Sequence, residues 1–549
     1  MNESLKIVRK FMGEEMHLTP GALSFLENQD DFSSAIEDVL ANLRGMPDKP
    51  PVVTKETVSR ILKSWEEDMA SEGKSNLSTD FNEPVGIEDS SKPPVESKAQ
   101  ERRASSDDSS GRLELFDVES EDQITVLYDV TGRSTSKGTV EDFIQLFRDR
   151  YDKLSKIVQK REGFRDAIPL GNISNFEGRN VEIIGLVVNR RETRKGDAQL
   201  VELEDPTGRA TVYVKDTKFN ESVINNVKLV VTDEVIGARV KVPDSLRNDG
   251  RSPLVWGNDI IWPDVPVSSS ESEESKGAQI EESTCVALIS DLHVGSKMFL
   301  SDVFDKFLEW IRGVRGTEEQ KRLASQVKYL IVAGDLVDGI GIYPNQQREL
   351  FISDVYEQYE AAAELLAQIP ENIKIIIAPG NHDAVRPAEP QPALPPAIAS
   401  PFEGLNIKLV GNPASISICG VDFLIYHGCG FDDLISADPE LDREDVVKSM
   451  IKVLQKRHLA PIYGSPMGAR TPIAPEEKDY MVIEDPPDVL HCGHLHRYGC
   501  GRYRGVLMVN SGTFQERTSY MKRMGVVPTP GMVPVMDLQT KNVRTIQFD

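Results

Sequence analysis

Ala378-Pro379-Gly380-Asn381-His382-Asp383 follows directly on the apolar run 373–377, Ile-Lys-Ile-Ile-Ile. Such a run predicts a buried strand, and the Pro-Gly-Asn step predicts the tight turn that ends it. The turn then presents an amide oxygen and an imidazole from neighbouring positions. Four other apolar runs end in comparable sets: 286–290 in Asp291-Leu292-His293, 329–333 in Gly334-Asp335, 423–426 in His427-Gly428, and 489–492 in Gly493-His494-Leu495-His496. Helical patterns at 304–312 and 355–369 separate the first three runs. That alternation predicts an α/β sheet, which places its functional loops at the carboxyl ends of the strands.

The donors are Asp, Asn and His, hard oxygens and borderline nitrogens without thiolate. That set suits Mn²⁺, Fe²⁺ or Zn²⁺ in a working site rather than a structural zinc. On an extended D-x-H segment, alternate side chains share one face, so Asp291 and His293 are expected to grip a single ion. His494 and His496 have the same spacing and can divide between two ions. Asp335, alone after Gly334, is the natural bridging carboxylate. Of the eight histidines, only His17 and His458 lie away from these motifs, and His491 is expected to pack within its strand. The competing reading, surface histidines and satisfied core acids, would require this order to arise five times by chance.

The remainder of the 549 residues implies roughly two to four domains. Residues 1–65 read as a helical docking domain, with Ala22, Leu23, Leu26, Phe32, Ile36, Val39, Leu40 and Leu43, then Val58, Ile61, Leu62 and Trp65, at helical spacing and Thr54 as an N-cap. Residues 66–122 are rich in Ser, Glu, Asp and Pro and read as a disordered acidic linker. A helical connector occupies 123–167. Residues 168–265 carry five short strand patterns with a helical stretch at 220–226 between the third and fourth, the order of an OB-fold barrel. That barrel could bind single strands through Tyr213 and the basic loop Arg190, Arg191, Arg194 and Lys195, or dock a protein. A second linker, 266–283, precedes the domain at 284–549.

A net charge of −25 argues against a surface that attracts nucleic acid everywhere, although bound cations can invert the field locally. No run reaches the ~18 apolar residues of a membrane span, and no signal peptide opens the chain, so a cytoplasmic protein without membrane contact is expected. The five cysteines show no C-x-x-C pair and read as reduced thiols.

The motif set D-x-H, G-D, G-N-H-D, H and G-H-x-H resembles that of the calcineurin-like metallophosphoesterases. Gly339-Ile340-Gly341-Ile342-Tyr343-Pro344, the run from Ala384 to Pro392, and Val527-Pro528-Thr529-Pro530-Gly531-Met532-Val533-Pro534 narrow the resemblance to the small subunits of archaeal D-family DNA polymerases. It covers 165–549 closely and the N-terminal part in outline. The fold implied is an α/β metallophosphoesterase sandwich preceded by an all-β OB barrel and a small N-terminal helical domain. The resemblance implies one ion on Asp291, His293, Asp335 and His496 and a second on Asp335, Asn381, His427 and His494. His382 becomes the acid near the leaving group, and Asp383 a residue that could orient it.

The activity implied is a 3′→5′ exonuclease with two divalent ions, Mn²⁺ before Fe²⁺ or Zn²⁺, acting on DNA 3′ ends beside a large catalytic polymerase subunit. Arg386, Arg470, Arg497 and Arg517, with Lys522 and Arg523, are candidates for DNA or partner contact. The alternatives are a non-catalytic scaffold subunit and a free-standing repair nuclease or phosphoesterase.

Overall fold

Runs as rich in Ile, Val and Leu as those after residue 284 leave no face for water, and they form strands buried on both sides. The computed structural model describes residues 124–218, 220–246, 252–267, 283–463 and 471–549, with scattered positions between 17 and 61. These fall into two compact units, residues 1–113 and 114–549. Within the first, Ala22, Leu26, Ile36, Val39, Leu40, Leu43, Val58 and Ile61 share one buried cluster. A short parallel pair, His17–Leu18 (β1) with Val52–Val53 (β2), was not foreseen. Leu23, Phe32, Thr54, Leu62, Trp65, the linker 66–122 and most of the linker 266–283 lie outside the described residues.

The stretch expected as a purely helical connector begins with a strand, Ile124–Tyr128 (β3). Its β-branched alternation buries Ile124 and lets it pair along residues 415–418, a distant partner that local helical spacing does not reveal. Helix Val140–Gln159 follows, opened by a Thr139–Asp142 capping box. Five strands then close into a barrel: Asn180–Glu192 (β4), Ala198–Asp205 (β5), Gly208–Lys215 (β6), Val235–Lys241 (β7) and Leu254–Ile261 (β8). Their order around the barrel is β4-β5-β6-β8-β7. Alternate residues such as Val201, Leu203, Val212 and Val214 fill its interior, and helix Glu221–Lys228 adds Ile224 and Val227.

The remaining strands build two sheets. Cys285–Ile289 (β9), Val327–Ala333 (β10), Lys374–Ala378 (β11) and Ile407–Leu409 (β12) run parallel. Ala414–Ile418 (β13), Val421–Tyr426 (β14), Val489–Cys492 (β15), Tyr498–Tyr503 (β16) and Val506–Ser511 (β17) belong to the other sheet. Met532–Asp537 (β18) and Val543–Gln547 (β19) return to the first. The orders are β12-β11-β10-β9-β18-β19 and β16-β17-β15-β14-β13-β3.

Strand alternation sends one row of side chains inward and one outward. Leu288, Ile331 and Ile376 meet Ile416, Phe423, Ile425, Val489 and Val509 between the sheets. Ile289, Val332 and Ile377 face helices Ser301–Ile311 and Val355–Leu366. Tyr426, Leu490 and Met508 face helices Gly430–Ala437 and Val446–Lys456. The result is a sheet-on-sheet sandwich with helices on both outer faces. Strands β9, β10, β11, β14 and β15 all end at one edge of it.

Buried charge joins barrel and sandwich. Lys456 Nζ lies 2.6 Å from Glu234 Oε2, both side chains 1% exposed. Arg150 places Nε 2.7 Å from Asp479 Oδ2, and its Nη1 donates to the carbonyls of Asp233 and Pro461. Among the described residues no helix is long and apolar enough to cross a membrane.

Candidate metal centre

The strand ends do not continue as extended chain. Asp291, His293, Asp335, His494 and His496 have φ of 52°, 55°, 52°, 68° and 55°, the left-handed region that costs an L-residue roughly 1–2 kcal/mol. The expectation that Asp291 and His293 share a face by strand alternation is therefore corrected. Left-handed turns bring them together, held by Asp291 N–H to the Gly334 carbonyl (3.0 Å) and His293 N–H to the Asp335 carbonyl (3.1 Å). The His494 amide donates to the Asp291 carboxylate, which ties the first and last motifs.

The seven expected ligands converge. Ligand atoms of Asp291, His293, Asp335 and His496 lie within 4.8 Å of one another. Across this set His293 Nε2 and His496 Nε2 stand 3.1 Å apart. His293 Nε2 is 3.6 Å from Asp335 Oδ2, and His496 Nε2 is 3.3 Å from Asp291 Oδ1. Asp335 Oδ2 also lies 3.3 Å from His427 Nε2, which makes Asp335 common to a second set. There, Asn381 Oδ1 is 3.1 Å from both His427 Nε2 and His494 Nδ1.

The His427 Nδ1–H donates to the Ala333 carbonyl at 2.9 Å, which orients the ring and leaves Nε2 facing inward. Close approach depends on missing side chains. A Cβ on Gly334, at φ 87°, would stand 2.4 Å from His427 Nδ1, and one on Gly380 would stand 2.2 Å from Asp335 Oδ1.

Burial alone would push the Asp335 carboxyl up, but His427, His382 and His293 outweigh it and hold it well below the ordinary range. Burial likewise works against charge on His427, yet Asp335 and Asp291 raise it to about 10. Asp291 and Asp335 have no Lys or Arg partner among the described ion pairs, and buried His496 Nδ1 has no hydrogen-bond partner. Buried carboxylates and inward-facing ring nitrogens without a lysine or arginine fit divalent cations.

His382 sits against both sets. Its amide donates to Asp335 Oδ1 at 2.9 Å, and its Nδ1–H donates to the Asp338 carbonyl at 2.7 Å. Burial pushes the ring down, with Asp335 opposing. Asp383 does not orient it. That carboxylate accepts instead from the amides of Gly380 (2.8 Å) and Leu336 (3.3 Å) and from Tyr359 (2.9 Å), because the turn leaves those donors needing an acceptor. Burial and Asp335 raise Asp383 to about 6.

Three contributors escaped sequence reading. Asp338 Oδ1 stands 3.2 Å from His293 Nδ1, and the G-D-x-x-D spacing after Gly334 was the available signal. Cys429 Sγ donates to Asn381 Oδ1 at 3.3 Å and groups with His427 and His494. Asp432 lies 3.5 Å from His494 Nε2 on the helix after β14.

Of the arginines named as DNA contacts, Arg386 is spent internally. It pairs with Glu476 at 2.8 Å and donates to Ser134, both distant in sequence, and binds the nearby Pro390 carbonyl. Arg497 donates to the Val527 carbonyl. Arg517 has a buried Nε without a partner among the described residues. Arg470 lies outside the described residues. His458 and His491 are buried, bonded to Asp479 and Ser511 and pushed down to about 4 and about 3. None of the five cysteines forms a disulfide among the described residues.

The family model for the B subunits of DNA polymerases alpha and epsilon matches residues 286–500. The DNA polymerase II small subunit of Archaeoglobus fulgidus is 44% identical over 412 residues, 75% of this chain and 78% of that one. Its counterpart from Halobacterium salinarum is 33% identical over 550 residues, 100% of this chain and 99% of that one. A solved archaeal phosphodiesterase matches 48% of this chain and 99% of its own at 16% identity, with a TM-score of 0.25, too faint to carry an argument. At these identities and coverages the chain belongs to the family of archaeal D-family DNA polymerase small subunits, the DNA polymerase II small subunits.

Proposed function

We propose that the chain is the proofreading subunit of a heteromeric replicative DNA polymerase. It hydrolyses the terminal phosphodiester of single-stranded or mismatched DNA 3′ ends, while a large partner subunit carries out synthesis. The observation that carries this is the pair of donor sets sharing Asp335, with His382 beside them. Asp291, His293, Asp335 and His496 would hold one divalent ion and Asp335, Asn381, His427 and His494 the other. Mn²⁺, or Fe²⁺ or Zn²⁺, would supply a nucleophilic water at neutral pH and neutralise charge on the phosphoryl oxygens.

His382 does the proton work. With Nδ1–H fixed on the Asp338 carbonyl, Nε2 is the nitrogen left for substrate. An arriving phosphodiester brings negative charge that favours the imidazolium. Water oxygen bonds to phosphorus and gives up a proton to solvent, the bond to the 3′ oxygen of the penultimate nucleotide breaks, and that oxygen takes the proton from Nε2, which solvent then restores. The products are a nucleoside 5′-monophosphate and a strand shortened by one residue.

The five-strand order of the barrel supports an OB fold for 168–265. We assign 1–65 to docking, 66–122 and 266–283 to linkers, and 284–549 to catalysis. The connector 123–167 contributes β3 to the catalytic sandwich. The test is the full-length chain with Mn²⁺ and 5′-labelled single-stranded DNA, alone and with its large subunit. Stepwise shortening from the 3′ end is expected. An intact substrate in both preparations overturns the proposal.

A further inference from the structure

Beside His382 lies an aromatic pair that the metal chemistry does not use. Tyr343 and Tyr520 stack with ring centroids 6.1 Å apart and planes 28° off parallel. The Tyr343 ring stands 6.3 Å from the His382 imidazole. Tyr343 reaches the pair from the loop after Asp335, and Tyr520 from the short helix Ser519–Met524. One carboxylate ties Tyr343 to the start of the Tyr520 helix: Tyr343 Oη donates to Glu349 Oε2 at 2.9 Å, and Ser519 Oγ donates to Glu349 Oε1. Despite that bracing, Tyr520 is 43% exposed. An aromatic ring stacked on an anchored neighbour and left open to water makes poor sense as core and good sense as a contact surface.

Charge around the pair favours nucleic acid over an apolar partner. Lys522 and Arg523 stand on the same helix as Tyr520, and Arg517 precedes it, its buried Nε without a partner among the described residues. Aromatic rings interleaved with cations are how proteins hold single-stranded DNA, bases stacking and phosphates pairing. We propose that Tyr343 and Tyr520 seat the base of the penultimate nucleotide, the one whose 3′ oxygen departs. The geometry favours that base because the pair adjoins His382, which serves the leaving oxygen, and one nucleotide joins that oxygen to its own base. This rests on the role given to His382 above. The seat would also select single-stranded ends, since a paired penultimate base is stacked within its duplex.

The experiment uses the full-length His382→Ala protein with Mn²⁺ and short 5′-fluorescent single strands. One strand is intact, one is abasic at the penultimate position, and one is abasic at the 3′-terminal position. Loss of a stacked base should weaken binding roughly five- to 150-fold. The penultimate abasic strand should show that loss and the terminal one should not. Adding Tyr520→Ala should erase the difference, while Tyr520→Phe, which keeps the ring, should retain it.

Equal binding of the intact and penultimate abasic strands overturns the proposal, as does a difference that survives Tyr520→Ala. A Tyr520→Ala protein that binds all strands normally but no longer assembles with the large subunit would reassign the pair to protein docking. The phosphodiesterase reading is checked separately, by Mn²⁺-dependent hydrolysis of bis(p-nitrophenyl) phosphate by the unsubstituted chain. A failure there leaves the oligonucleotide result to judge the aromatic seat alone.

Discussion

Asn381 and His382 are adjacent, yet they stand in different surroundings. Asn381 turns its Oδ1 into the second donor set, 3.1 Å from two imidazoles, while His382 is anchored by its own amide and Nδ1. His382→Ala should therefore leave the metals bound, with elemental analysis giving the same content as the unsubstituted chain. Turnover of labelled single strands should fall by about 10²–10⁴-fold, the usual worth of a positioned proton donor. Asp335→Asn should do the reverse, because Asp335 is the one carboxylate both sets share. Elemental analysis should show both ions weakened together. Loss of one ion with the other intact would mean that the carboxylate does not bridge.

The turns after the strands decide whether these side chains meet at all. Gly334 has φ 87° and its Cα faces the His427 ring. Gly334→Ala adds both left-handed strain and a Cβ 2.4 Å from His427 Nδ1. Metal content should fall even though no ligand is altered, and denaturant unfolding should show a loss of about 1 kcal/mol or more. The ligands themselves were legible because each follows an apolar run that could only be a buried strand. The way they converge was not, since spacing of two suggests strand alternation and the backbone instead takes left-handed turns. Asp338, Cys429 and Asp432 were hidden for a related reason: they stand beyond the turns, where no apolar run announces them. β3 and the Arg386–Glu476 pair were hidden by distance along the chain.

The whole 114–549 unit depends on buried charge that water cannot replace, and this sets its response to acid. Helix Val140–Gln159 is fastened through Arg150 to Asp479, which also accepts from His458 Nε2–H at 3.0 Å. His458 Nδ1 meanwhile accepts from the Ala460 amide, so the ring is held neutral. Burial, aided by Arg150, pushes His458 from 6.5 down to about 4. Below pH ~6.5 the unfolded chain takes up a proton that the folded chain refuses, so stability falls as pH drops from about 6.5 to about 4. The loss is on the order of 3 kcal/mol.

Asp479 adds to this at lower pH. Burial opposes its charge, but Arg150 and His458 hold its carboxyl far below the usual range. Its contribution is present above the unfolded value of ~3.9 and is lost as pH falls below it. Urea unfolding of the metal-free chain should thus show a midpoint that declines from pH 7 to pH 4 and more steeply below. Asp479→Asn should cost about 3–5 kcal/mol at pH 7, because it leaves Arg150 buried without its partner. Below pH ~4 the gap between variant and unsubstituted chain should narrow, since the unfolded unsubstituted chain gains a proton at Asp479 that the variant cannot take up. A gap that stays constant across this range would show that the helix is held by packing of Leu154 and Val158 rather than by the Arg150–Asp479 pair.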